Sequence, residues 1–144
     1  MRGEVDKLAA AVPLTLSSAC DVGEFAGKTF DYQFAHPALA RLVLWEGLTL
    51  TGRVPDEAER STLYAAKTAA VATAQREGLI DDRISAPDLV FLIISLSSYW
   101  SAAPQIARML AGGDDPTALD VARRRAAVVR AATAIATPRR GAAS

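Results

Sequence analysis

The side chains best suited to chemistry are scarce in this chain of 144 residues, which holds a single histidine, His36, and a single cysteine, Cys20. A zinc site needs three or four soft or imidazole ligands and a Cys-His arrangement needs the two side by side, so neither is expected here. One cysteine cannot close an internal disulfide, and Cys20 reads as a buried or idle thiol in a reducing compartment. His36 sits directly before Pro37, a corner position that suits a cap better than a catalyst. The carboxylates fall mostly at helix starts or turns. Asp56, Glu57 and Glu59 load a first turn, where negative charge favours the helix dipole, and Asp81-Asp82 is a solvated turn rather than a cation site. Glu46, beside Trp45 in an otherwise apolar stretch, is the one acid placed to line a pocket. Gly112-Gly113 lacks the Lys-Ser/Thr that follows a phosphate-binding loop. No enzyme, metal or cofactor is expected.

Charge points the same way. Sixteen basic residues balance sixteen acidic ones, so no global field draws the chain to nucleic acid or to an anionic membrane. Hydrophobic residues make up 51% and charged residues 22%, the composition of a globular domain with a real core. No hydrophobic leader follows Met1, and the chain reads as cytoplasmic.

The elements available to position a site are all helical. The most apolar stretch, Leu89 to Trp100, is expected to be a central helix covered on every side, with Ser85 and Asp88 capping its start and Pro104 ending it. At twelve residues it falls short of the roughly 18–20 a membrane span requires. Upstream, Arg2 to Val12 reads as a short helix closed by Pro13. A second runs from an Asp21 N-cap to Ala35 with its phenylalanines on one side, and a third follows Pro37 to Leu48. A fourth, Asp56 to Glu77, has Leu63, Ala66, Ala70 and Ala74 as its apolar row and Gly78 as a left-handed stop. Downstream come a short helix over 104–110, a turn at 112–116, and a last helix from Thr117 to Ala136 carrying a Val121-Val128-Ala132-Ile135 stripe. No strand-like alternation and no repeat is present. The expected fold is a single all-α helical bundle of six to seven helices, with 1–13 as a connector, 14–137 as the folded body and 138–144 as a disordered tail.

The order of these segments resembles the C-terminal regulatory domain of TetR-family transcriptional repressors. The stretch Phe30-Asp31-Tyr32-Gln33-Phe34-Ala35-His36-Pro37 through Trp45-Glu46 looks like two family helices joined at a His-Pro corner. Ala74-Gln75-Arg76-Glu77-Gly78-Leu79-Ile80 looks like the end of the family's long helix. Leu89 to Trp100 and the segment around Arg123-Arg124-Arg125 look like its last two helices. The resemblance implies a domain that binds a small effector inside and dimerises through those last two helices. It also implies an N-terminal helix-turn-helix that nothing before Val12 could encode. The expectation is therefore a fragment of a longer protein, a truncated reading frame or a free-standing regulatory domain, with no nucleic acid bound through this chain alone. The alternative is a stand-alone helical ligand-binding or interaction protein without operator control.

Two sets of residues carry these expectations. A mostly apolar cavity enclosed by the helices over 21–35, 37–48, 56–77 and 89–100 would be lined by Phe30, Phe34, Trp45, Tyr64, Lys67, Phe91, Ser95 and Ser98, and would take a small hydrophobic or weakly polar effector. A homodimer would pair Ser97, Trp100, Val121, Arg125, Val128, Ala132 and Ile135 with their copies in a four-helix bundle. In that arrangement Val128→Glu gives monomers, and Arg125 must find a carboxylate or the interface rim.

Overall fold

A computed structural model describes residues 14–111 and 115–140. The expected connector helix over Arg2 to Val12, the Gly112-Gly113-Asp114 part of the turn and the end of the tail lie outside the described residues. Among those described there are six helices and no strand: α1 (Ala19–Ala35), α2 (Pro37–Thr49), α3 (Glu57–Arg76), α4 (Ala86–Ala102), α5 (Pro104–Ala111) and α6 (Ala118–Ala136).

Local chemistry sets most of the boundaries. Ser18 rather than Asp21 is the N-cap of α1, and Asp21 sits three residues in, accepting from the Ser17 and Ser18 backbone N–H groups at 2.7 and 3.2 Å. Pro37 opens α2 in the first turn, where its missing N–H costs nothing. At the end of α3, Gly78 adopts φ +72°, and Leu79 N–H reaches back to the Ala74 carbonyl at 3.0 Å. Thr117 and Asp120 cap α6 reciprocally at 2.9 and 3.2 Å. Ser85 precedes α4 as expected, but its side chain makes no capping hydrogen bond.

Helix α4 touches all five others and is the hub of the bundle. Leu89, Val90 and Ile93 pack into one core with Val22, Phe25, Ala26 and Phe30 of α1, Val71 and Ala74 of α3, and Val128, Ala132 and Ala136 of α6. The hub is not covered on every side, however. Phe91 is 72% exposed and Tyr99 57% exposed, with Leu92 bare beside them. The apolar run is longer than one monomer can bury.

The most intimate pairing is α1 against α6. Gly23 and Gly27, one turn apart, let the backbones approach until a Cβ on Gly27 would lie 2.8 Å from Val129 and 2.9 Å from the Arg125 guanidinium. In α3 the inward row is Lys67, Val71 and Ala74, which keeps Ala74 of the expected Leu63-Ala66-Ala70-Ala74 row and otherwise lies one position round from it. Alanine gives little contrast between faces, and the Lys67 stem supplies apolar surface that its type conceals. No single helix among the described residues is long and apolar enough to cross a membrane, and α4 with α5 passes that test only as a pair bent by 79°.

Candidate functional site

Among the openings between the described helices, three bear on the expected site. A cleft of about 470 Å³ lies between α4 and α5, walled by Leu92, Leu96, Tyr99, Trp100, Ile106 and Leu110, with Ser95 its polar contribution. A second, of about 360 Å³, lies where the α1–α2 and α4–α5 corners meet the start of α6. A third, of about 670 Å³, runs along α2 past Leu39, Leu42 and Trp45.

The eight residues expected to line one cavity are distributed among these places. Phe30 and Phe34 reach the second cleft, Phe30 from the core and Phe34 from a 54% exposed position. Ser95 lines the first and Trp45 the third. Phe91 faces outward, away from the core. Tyr64 is half-buried on α3. Lys67 is buried with its ammonium 5.3 Å from the Phe25 ring centre, and burial lowers its pKa from the usual lysine range. Ser98 places its buried Oγ without a hydrogen-bond partner, and Gln33 Oε1 is in the same position. The other two serines of α4 bond back to their own helix, Ser95 to the Phe91 carbonyl and Ser97 to Ile93, each at 2.8 Å.

The residues expected at a dimer interface differ in how far this one chain buries them. Val128 is 4% exposed and Ala132 and Ser97 are fully enclosed, all within this one chain. Val121, Ile135 and Trp100 are half-buried against the same core. Within the stripe on α6, Val128 and Ala132 join the core shared with α1, while Val121 and Ile135 keep part of their surface exposed. Arg125 does find a carboxylate, but in its own chain: Nε donates to both oxygens of Asp31 on α1 at 2.9 and 3.0 Å, and this raises its pKa. The outward side of α6 carries Leu119, Ala122, Arg123, Ala126 and Arg130 instead.

Glu46 is buried and paired. Arg60 of α3 donates to both of its oxygens at 3.2 and 3.0 Å, joining the end of α2 to the start of α3. His36 bonds through Nδ1 to the Tyr32 carbonyl at 2.9 Å and stacks on the Tyr32 ring, which makes it a corner piece. Among the described residues no group of three or more His, Cys, Asp or Glu could hold a metal, and Cys20 is exposed. The clefts have apolar walls and few polar anchors, the usual make-up of a small-molecule binding site.

Comparison with known proteins agrees with this architecture. Residues 21–133 match the family described as tetracyclin repressor-like, C-terminal domain. Over 96 residues the chain is 44% identical to the HTH-type transcriptional repressor SCO4008 of Streptomyces coelicolor, an alignment covering 66% of this chain and 50% of the relative. It thus spans about half the length of that curated protein. The crystal structure of SCO4942 from the same organism, assigned as a transcriptional regulator, superposes with a TM-score of 0.69 at 29% identity, over 92% of this chain and 69% of the other.

Proposed function

This chain belongs to the tetracyclin repressor-like C-terminal domain family, and we propose that it is the effector-binding and dimerising domain of a TetR-like transcriptional repressor. The observation that supports this reading most is the outward side of α4 and α5. Phe91, Leu92, Tyr99, Ile106 and Leu110 present large apolar side chains to solvent around the 470 Å³ cleft. A contiguous patch of this kind marks a surface meant to be covered. A second copy seated there would bury Leu92 and Tyr99 and close the open side of the cleft. The effector that suits such walls is small and neutral or weakly polar. Binding and assembly would then be linked, because the same side chains serve both. Operator binding by the whole protein would fall to a segment of the helix-turn-helix kind for which the Streptomyces relative is named.

Thermal unfolding with neutral apolar probes such as 1-naphthol and dodecanol tests the effector half. A saturable rise in Tm that Ile106→Asp abolishes is expected. No rise with any probe, or the same rise in the variant, contradicts it.

A further inference from the structure

The second cleft differs in kind from the first, because three arginines line it. Arg41 comes from α2, Arg108 from α5 and Arg124 from α6, while Phe30, Phe34 and Trp100 supply aromatic walls. Arg53, Arg60, Arg83, Arg123 and Arg125 each have a carboxylate within ion-pair distance. Among the described residues Arg41 and Arg108 make neither an ion pair nor a hydrogen bond, and Arg124 lies against the Trp100 ring at 5.1 Å. Among the described residues Asp115 is the one acid lining the cleft, beside the three arginines. Like charges gathered around one opening repel one another, and an anion seated between them relieves that repulsion.

We propose that this cleft is a binding site for a small carboxylate with an aromatic or compact apolar body. The carboxylate would take the planar two-pronged hydrogen bonds that guanidinium offers, from Arg41 and Arg108. The body would lie against Phe34 and Trp100, with Arg124 already stacked on the indole as part of that wall. About 360 Å³ admits a ligand of one ring and a short chain. The site is separate from the neutral cleft between α4 and α5 and does not depend on dimerisation, although Trp100 borders both.

Isothermal titration of the full chain with 4-phenylbutyrate, 4-phenylbutyramide and inorganic phosphate tests the proposal. Saturable 1:1 binding of the carboxylate is expected, weakened at least about tenfold when the amide replaces it and again in Arg41→Gln/Arg108→Gln. Both arginines are exposed, so circular dichroism of the double variant should match the parent. Phe34→Ser, also at an exposed position, should weaken phenylbutyrate while leaving any response to phosphate unchanged. Equal binding of acid and amide, undiminished binding in the folded double variant, phosphate binding as tight as phenylbutyrate, or no saturable binding at all would each overturn it.

Discussion

The seam between α1 and α6 and the outward side of α4 and α5 use apolar residues in opposite ways. The seam is made of small ones. Gly23 and Gly27 bring the helices together, Val128, Ala132 and Ala136 disappear into the core, and the Asp31–Arg125 pair fastens the edge. The outward side has the larger side chains, Phe91, Leu92, Tyr99 and Leu110, and leaves them bare. Dispersion and dehydration reward contact rather than side-chain size alone. The seam therefore holds the monomer together, while the outward side contributes little until something covers it.

That contrast can be broken by substitution. The largest effect is expected for Val128→Glu, which would place an unpaired carboxylate in the core at the seam; loss of the cooperative thermal transition by circular dichroism is the outcome, rather than a folded monomer. A melting curve like that of the parent would show that the stripe does not face α1. Next is Gly27→Val, whose side chain meets Val129 and Arg125. Urea denaturation should show a loss of about 1–3 kcal/mol, as overpacked sites do.

Acid comes next and sharpens the picture at the helix ends. Hydrogen bonds lower the pKa of three carboxylates: Asp21 through Ser17, Asp81 through Arg83 and Asp120 through Thr117. A carboxyl whose pKa is lower folded than unfolded favours the folded state above the ordinary carboxylate range, and that contribution is lost as pH falls through the lowered value. Tm should therefore decline below about pH 4, and Asp120→Asn should make the decline shallower. The smallest effect belongs to the open side, where Leu92→Arg should change monomer stability by less than about 0.5 kcal/mol.

Much of the fold was legible because punctuation is local. Pro37, Gly78 and Thr117 each mark a boundary through their own backbone or side-chain chemistry, and the apolar run from Leu89 identifies the hub by composition alone. What each stripe faces was not legible. The Val121-Val128-Ala132-Ile135 stripe is real, but a periodic pattern is the same whether α1 or a second copy lies opposite it. Gly23 and Gly27, two glycines spaced by four in a helix, were the available signal that α1 was the partner. In α3 the alanines blurred the inward row, and Lys67 hid it further. At the sites, Phe30 and Phe34 stood out through helical spacing. The convergence of Arg41, Arg108 and Arg124 could not be seen, since more than eighty residues separate the first from the last and only the meeting of two corners brings them together.

Sedimentation equilibrium at micromolar concentration tests the central claim, that the outward side of α4 is a self-association surface. The unmutated chain should sediment at twice its 15.2 kDa mass. Leu92→Arg/Tyr99→Arg should sediment at the single-chain mass with its helicity unchanged. A monomeric parent, or a double variant that stays dimeric, would contradict it.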